Sequence, residues 1–228
     1  MDLGAKLAGQ HDALIIAECV PGGTTTALGL MLALGLSVNG CVSGSLPLLN
    51  HQIKSDIVSA GLKAAGYQFE QYRQSPLLAV SAVGDPMQAF AAGAALAASQ
   101  QIPVMLGGGS QMLAVNALIN AICSAKSIDS PSQSILVATT KWVAFDPFAR
   151  STELAQMSQS CFGACRPDFQ QSRHKGLRAY EEGNVKEGVG AGAAMTIANL
   201  RKFAALEILT AIDNQYDQMV LGKHAHMS

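Results

Sequence analysis

The chain has 228 residues, which suits one large domain or one domain with an appendage. Charged residues make up 14%, hydrophobic residues make up 49%, and the formal net charge is -1 at pH 7, so no strong field attracts nucleic acid or anionic lipid. We expect neither partner, and the low share of charge favours a homodimer or higher homo-oligomer that buries apolar surface.

The cysteines and the apolar runs predict the cellular compartment of the protein. Five cysteines without framework spacing are unlike a disulfide-stapled secreted domain and fit a reducing compartment. The longest apolar run, residues 27–38, is shorter than the roughly 20 residues that a bilayer requires, and no basic segment with a cleavage site opens the chain. We therefore predict a cytoplasmic protein.

Cys161 and Cys165 are the one close cysteine pair. Their spacing could hold a metal ion, but no His or Cys pair with finger-like spacing accompanies them. We favour two half-buried thiols, and we predict neither a metal nor a cofactor.

The first predicted unit consists of a strand, a glycine-rich turn and a helix. Residues 13–17 (ALIIA) form a continuous apolar run, which is typical of a strand covered on both faces in a parallel sheet. Residues 21–26 (PGGTTT) follow at once as a turn, and residues 27–36 have good helix propensity. After a loop, residues 52–65 predict an amphipathic helix that ends at Gly66.

Two further units of the same kind follow along the chain. Each contains a predicted strand, turn and helix, at residues 77–83, 84–86 and 87–99 in one and at 102–106, 107–110 and 111–124 in the next. A fourth strand is predicted at 134–139. Repeated units of this kind indicate an α/β fold with a parallel-sheet, Rossmann-like three-layer core, in which ligands bind at the carboxyl ends of the strands.

The character of the sequence changes after Trp142. Prolines and glycines interrupt the chain, and the glycine-rich residues 183–192 then lead into a helical run at 193–212. We predict a boundary near residue 145, with a nucleotide-binding core in residues 1–145 and a mostly helical C-terminal segment in residues 146–228.

The turn after the first strand has the composition of a phosphate site. Backbone N–H groups of Gly22 and Gly23, at a helix start, can converge on phosphate oxygens, and the hydroxyls of Thr24 and Thr25 add donors. The turn matches neither G-x-x-x-x-G-K-[ST] nor G-x-G-x-x-G, so it supports neither a Walker ATPase nor a dinucleotide fold. The alternative is a tight turn without a ligand.

A second glycine cluster follows the third predicted strand. One left-handed residue would suffice for a turn, and each additional glycine costs conformational entropy. We therefore expect a ligand to approach Gly107, Gly108 and Gly109 closely.

Four charged residues are candidates for the chemistry. Glu18 directly follows the first strand, and Glu187 lies among small residues that would admit a ligand. The alternatives are a rim carboxylate that caps the next helix and a surface carboxylate in a loop. Lys54 and Lys141 could each neutralise a phosphate, or they could be ordinary solvated lysines.

Together these motifs resemble the nicotinate-nucleotide:dimethylbenzimidazole phosphoribosyltransferase family, in particular its archaeal and cyanobacterial branch. The stretch 18–28 (ECVPGGTTTAL) carries the most specific likeness. The rest follows in family order at 43–45 (SGS) with Lys54, 84–86 (GDP), 103–110 (PVMLGGGS), 138–142 (ATTKW) and 187–192 (EGVGAG), and covers nearly the whole chain.

The resemblance implies transfer of the 5-phosphoribosyl group of nicotinate mononucleotide to dimethylbenzimidazole or a purine. The product is an α-riboside phosphate for the lower ligand of cobalamin. By the family pattern Glu187 is the general base and Glu18 is a second active-site carboxylate. The positions that match nucleotide-binding groups are Gly22, Gly23, Thr24, Thr25, Ser43, Gly44, Lys54, Gly84, Asp85, Gly107, Gly108, Gly109, Thr139, Thr140 and Lys141.

The sequence departs from the family pattern in two respects. Family members are longer, and an N-terminal segment supplies much of their acceptor-base pocket. Gly107 stands where the bacterial branch tends to have an aspartate. The alternatives are therefore a nucleotide-binding or assembly module without catalysis, and another sugar-phosphate enzyme on the same architecture.

Overall fold

A four-stranded, all-parallel sheet forms the centre of the fold in the computed structural model, which describes residues 1–44, 50–184 and 190–224. The strands lie side by side in chain order: β1 (Leu14–Ala17), β2 (Val104–Gly107), β3 (Ile135–Thr140) and β4 (Cys161–Cys165). In register, Ala17 pairs with Gly107 and Gly107 with Ala138, so the carboxyl ends of the first three strands meet at one edge. We call this edge the rim.

Twelve helices surround the sheet within the described part of the chain. They are α1 (Asp2–Ala8), α2 (Gly23–Ala33), α3 (His51–Ala65), α4 (Phe69–Gln74), α5 (Leu77–Val83), α6 (Pro86–Ala98), α7 (Ser110–Ala125), α8 (Lys141–Ala144), α9 (Ser151–Met157), α10 (Lys175–Arg178), α11 (Ala191–Leu200) and α12 (Ala205–His224).

The helices cover both faces of the sheet. One face buries alternate residues of the central strands, including Leu106 and Val137, against α2, α6 and α7. On the other face α11 packs so closely that a Cβ added at Gly107 would lie 2.8 Å from the Cβ of Ala193. The three layers confirm the predicted α/β class.

Local signals in the sequence explain several helix boundaries. α3 begins where the side chain of Asn50 accepts a hydrogen bond from the N–H of Ile53, and it ends at Gly66, whose φ of 71° is left-handed. Pro86 opens α6, where its missing N–H costs no hydrogen bond. The helices predicted at 52–65, 87–99 and 111–124 are confirmed within about two residues.

The prediction of a strand at residues 77–83 is wrong, because these residues form helix α5. A short apolar run does not distinguish a buried strand from a helix. Here Ala79 is buried whereas Leu77 is 53% exposed, so the segment is covered on one side only. The turn at 84–86 therefore joins two helices and does not follow a strand.

The fourth strand of the sheet, β4, lies beyond the boundary predicted near residue 145. It pairs with β3 from Leu136 opposite Cys161 to Thr140 opposite Cys165. The sequence CFGAC has a central glycine and no branched aliphatic residue, so it gives little strand signal. The predicted thiols differ in burial, since Cys161 is exposed and Cys165 is buried.

We expect thiol reagents at pH 8 to modify Cys161 at least about tenfold faster than Cys165, because the thiolate is the reactive form. Burial raises the pKa of the Cys165 thiol to about 11. Mass-spectrometric mapping of iodoacetamide-labelled peptides over time measures both rates. Equal rates would contradict the burial of Cys165 in the sheet.

A smaller apolar cluster joins the C-terminal helices to the end of β3. Its buried members include Trp142, Phe169, Met195 and Leu209. The helical run predicted at 193–212 is two helices, α11 and α12, with Lys202 in left-handed conformation between them. Along the described part of the chain, no helix is both long and apolar enough to cross a membrane.

Candidate functional site

The glycine turn after β1 begins helix α2 at the rim. Gly22 has a φ of 73°, in the left-handed region where glycine avoids the strain of a side chain. Within the described ranges, no side chain caps the N-terminus of α2. The N–H groups of Gly23 and Thr25 donate to the carbonyl oxygens of Val20 and Gly22, at 3.1 and 2.9 Å. The helix dipole at this end still favours an anion, and the phosphate contact expected at Gly22, Gly23, Thr24 and Thr25 stays a prediction.

Gly107, which ends β2, and the two glycines that follow it lie beside this turn and are buried. A Cβ added at Gly108 would lie 2.8 Å from Met112 Cγ, and one added at Gly109 would lie 2.8 Å from Val143 Cγ1. Protein atoms also exclude a Cβ at Gly107. Close packing therefore accounts for all three glycines, whereas the sequence had suggested close approach of a ligand.

The Glu18 carboxylate lies between the two glycine turns. Its Oε2 accepts a hydrogen bond of 2.9 Å from the N–H of Val20, and its Oε1 lies 3.4 Å from the position of a Cβ at Gly108. The structure thus brings the predicted carboxylate to the rim, beside both turns.

Five polar residues from distant parts of the chain form what we call the rim cluster: Thr24, Ser43, Lys54, Ser110 and Asp146. The Nζ of Lys54 donates to Thr24 Oγ1 at 3.0 Å and to the carbonyl oxygen of Ser43 at 2.9 Å. The N–H of Ser43 donates to Ser110 Oγ at 2.9 Å, and its hydroxyl donates to Asp146 Oδ2 at 3.1 Å. The cluster therefore ties α2, α3 and α7 together at the rim.

The environment of Lys54 differs from that of a surface lysine. Burial lowers the pKa of Lys54 below the ordinary value, while the charge of Asp146 acts in the opposite direction. A half-buried ammonium group at this edge can bind a phosphate, with less competition from water than on an open surface. The sequence predicted Lys54 and Ser43 here, and Gly44 directly follows Ser43 in the described chain.

Two buried glutamines connect the turn at 84–86 to the first glycine turn. Gln88 Oε1 accepts from the N–H of Asp85 at 2.9 Å, and Gln88 Nε2 donates to Gln111 Oε1 at 2.7 Å. The Nε2 of Gln111 continues to Thr26 Oγ1 at 3.4 Å. Sequence reasoning missed both glutamines, although a polar side chain within alanine-rich α6 was a usable signal.

The turn residues Gly84 and Asp85 have a structural role at the start of α6. The Asp85 carboxylate accepts from the N–H of Met87 at 2.8 Å and caps α6. A Cβ at Gly84 would lie 2.6 Å from Gln88 Oε1. Their predicted contact with a nucleotide stays a prediction, and their link to the rim runs through the glutamines.

The end of β3 presents two buried hydroxyls. Thr139 and Thr140 are fully buried, and neither Oγ1 has a hydrogen-bond partner among the described residues. Thr139 Oγ1 lies 4.0 Å from the position of a Cβ at Gly109, so it adjoins the second glycine turn. A buried hydroxyl without a partner costs free energy, which makes Thr139 a candidate donor for a ligand at the rim.

Lys141 contacts residues outside the rim cluster. Its Nζ forms an ion pair of 2.8 Å with Glu181 and lies 5.5 Å from the ring centre of Trp142. Burial opposes ionisation of Glu181, yet hydrogen bonds from Lys141 and from the N–H of Phe169 hold its pKa below the usual value. The predicted phosphate role of Lys141 therefore competes with a partner that the sequence did not reveal.

An apolar cavity of about 600 Å³ lies between the C-terminal helices. Its lining includes Trp142, Phe169, Tyr180, Ala191 and Met195. Ala191 directly follows Gly190, where an added Cβ would lie 3.1 Å from the Cβ of Ala17 in β1. The cavity therefore begins near the rim.

Glu187, the predicted general base, lies outside the described residues. The described chain resumes at Gly190, which packs on Ala17, the residue before Glu18. The C-terminal end of the stretch 187–192 is thus at the rim.

Fold and site together define a parallel α/β protein with a polar, glycine-rich rim suited to a phosphate-bearing ligand. The chain is homologous to cyanobacterial proteins named UPF0284. It is 42% identical to UPF0284 protein Cyan7425_0342 of Cyanothece sp. over 223 residues, which cover 96% of this chain and 60% of the relative. It is 41% identical to UPF0284 protein alr0297 of Nostoc sp. over an alignment of 238 positions, gaps included, which covers 95% of this chain and 62% of the relative.

A third relative is UPF0284 protein PCC8801_3324 of Rippkaea orientalis, which is 48% identical over 200 residues, covering 86% of this chain and 54% of that protein. This chain therefore spans about three fifths of the length of the curated relatives it matches. Their names state no activity, and no family model matches the chain.

Proposed function

We propose that the protein transfers the 5-phosphoribosyl group of nicotinate mononucleotide to a lower-ligand base, either dimethylbenzimidazole or a purine. The product is an α-riboside phosphate for assembly of the cobalamin nucleotide loop. The observation that carries the proposal is the meeting of the Glu18 carboxylate, two glycine turns and the Lys54 ammonium group at one rim.

The proposed reaction needs an anchor for the phosphate and a carboxylate near the sugar. Lys54, Thr24 and the N-terminus of α2 supply positive charge and hydrogen-bond donors for the phosphate, which does not itself react. Binding energy at the phosphate then holds the anomeric carbon at the right angle to the incoming base.

The transfer forms a bond from a ring nitrogen of the base to the anomeric carbon and breaks the bond to nicotinate. Positive charge develops on the sugar, and the base loses its ring proton. Glu187 takes that proton in this proposal, and Glu18 stabilises the charge. The apolar cavity beside Ala191 offers surface for a planar base, since aromatic ligands bind mostly to apolar linings.

The direct test follows nicotinate release by chromatography. The chain of 228 residues and its longer relative UPF0284 protein Cyan7425_0342 are each incubated with nicotinate mononucleotide and either dimethylbenzimidazole or adenine. We expect release that depends on the added base and yields an α-riboside phosphate. If no base supports release although calorimetry detects nucleotide binding, the protein is a binding or assembly module without catalysis. If nucleotide does not bind either, the proposed site is wrong.

We expect Lys54→Met to weaken binding of nicotinate mononucleotide roughly tenfold, because a hydrogen bond to a charged group contributes about 1.5 kcal/mol or more. Isothermal titration calorimetry measures the affinity, with the phosphate-free nicotinate riboside as a second ligand. The riboside should lose no affinity. Lys63→Met, on the exposed part of the same helix, is the matched control and should bind like the wild type. An equal loss for both ligands would contradict a phosphate contact.

A further inference from the structure

Asp146 is a buried carboxylate that sequence reasoning did not select. It is 4% exposed and follows α8 after one residue. Its Oδ1 accepts from the N–H of Phe148 at 3.0 Å, which forms a local turn across Pro147. Its Oδ2 accepts from the hydroxyl of Ser43, 103 positions earlier in the chain, at 3.1 Å. A turn alone would not require this second contact.

Ser43 links Asp146 to the lysine of the rim cluster. Its hydroxyl donates to Asp146, while its carbonyl oxygen accepts from Lys54 Nζ at 2.9 Å. Its N–H donates to Ser110 Oγ, at the start of α7. One buried residue therefore connects the carboxylate, the ammonium group and the second glycine turn.

The charges of this arrangement are complementary. A lysine that loses water on folding needs a negative charge nearby to stay protonated. Among the described residues, Asp146 is the charged group that acts on Lys54, and it raises the pKa of Lys54 against the larger effect of burial. Lys54 Nζ has a third hydrogen in addition to those given to Thr24 and Ser43. Among the described residues only those two oxygens accept from Lys54 Nζ, so the third hydrogen can be donated to a ligand.

We propose that Asp146 is a positioning residue of the phosphate site, which holds Ser43 by a hydrogen bond and Lys54 by charge so that the ammonium group meets the phosphate. This inference rests on the proposed function, since it assumes that Lys54 binds a phosphate. Asp146 does not touch the ligand. It acts through the two residues that it orders.

The first test needs no ligand and compares Asp146→Asn with the wild type. The pKa of the Lys54 ammonium group is followed by NMR titration of lysine labelled with ¹³C and ¹⁵N, and Lys54→Met assigns the signal. We expect the pKa of Lys54 to fall further in Asp146→Asn, because the opposing charge is gone. Asp56→Asn, an exposed acid-to-amide change on α3, should leave it unaltered. An unchanged pKa of Lys54 in Asp146→Asn overturns the proposal.

The second test measures nucleotide affinity in the same variants. We expect Asp146→Asn to bind nicotinate mononucleotide about fivefold more weakly than the wild type, with nicotinate riboside unaffected and the loss growing as the pH rises. A purely structural role would weaken both ligands equally, and that result overturns the proposal. If the wild type binds no nucleotide, the proposed function fails, and the lysine titration still decides the role of Asp146.

A third variant covers the case in which Asp146→Asn does not fold. Ser43→Ala removes the hydroxyl that joins Asp146 to the other members of the rim cluster and keeps the carboxylate in its turn. It should reproduce the selective loss of nucleotide affinity, with a thermal unfolding curve showing that the variant is folded. Wild-type affinity in Ser43→Ala would overturn the proposal.

Discussion

Glu187→Gln should lower the rate of nicotinate release by about 10²- to 10⁴-fold, the usual contribution of a general base. Glutamine matches glutamate in size but cannot accept the ring proton of the incoming base. Affinity for nicotinate mononucleotide should stay within about threefold, because the phosphate anchor at Lys54 and α2 is untouched. Single-turnover chromatography separates the chemical step from binding.

The control is Glu182→Gln, an exposed carboxylate in the turn that precedes the same stretch. It should react like the wild type. Glu18→Gln distinguishes the two carboxylates, since the amide oxygen can still accept from the N–H of Val20 while the charge is lost. A greater loss in Glu18→Gln than in Glu187→Gln would transfer the role of base to Glu18. Wild-type rates in both variants would contradict the proposed mechanism.

The sequence predicted the parts of the fold whose local patterns agree with their surroundings. The continuous apolar run at β1 matches a strand in a parallel sheet, and Asn50 and Gly66 mark the ends of α3 as capping rules predict. The same reasoning located Glu18 and Lys54, because residues just after a strand or at a helix start face a common edge.

The remaining elements depend on tertiary contacts that no local pattern encodes. β4 is a strand because β3 offers a free edge to Cys161–Cys165, although Gly163 weakens its intrinsic preference. Conversely, the apolar run at α5 looks like a strand, but it packs as a helix beside α2 and α3. Strand propensity is a weak guide where pairing partners lie far apart in sequence.

Contacts between individual residues at the rim are likewise not encoded in local sequence patterns. Asp146 and Ser43 are separated by 103 positions, and Lys141 meets Glu181 across 40, so neither pairing follows from spacing. Lys54 and Lys141 looked equivalent in the sequence. Their partners distinguish them, since Lys54 contacts the hydroxyl and carbonyl oxygens of the rim cluster and Lys141 is neutralised by a carboxylate.

Gly192→Ala should destabilise the protein by about 3 kcal/mol, at the upper end of overpacking effects, and lower the unfolding temperature by roughly 6–12 °C. A Cβ at Gly192 would lie 2.4 Å from both Cα and the carbonyl carbon of Thr139, in the backbone of central strand β3. Those atoms cannot rotate away as a side chain could. The clash can be relieved only if α11 moves away from the rim. That movement also disturbs the packing of Ala193 on Gly107 and of Gly190 on Ala17. Differential scanning calorimetry measures the shift.

Gly93→Ala is the matched control, because it is the same change inside another helix, α6. There the nearest atoms outside α6 to the new Cβ belong to Met1, at 3.6 and 3.7 Å, which is ordinary contact. Alanine favours a helix over glycine by about 1 kcal/mol, so Gly93→Ala should raise the unfolding temperature. The same gain is available at Gly192 and is outweighed by the clash. If Gly192→Ala also unfolded at a higher temperature, α11 would not lie against the carboxyl ends of β2 and β3, and the rim would need another arrangement.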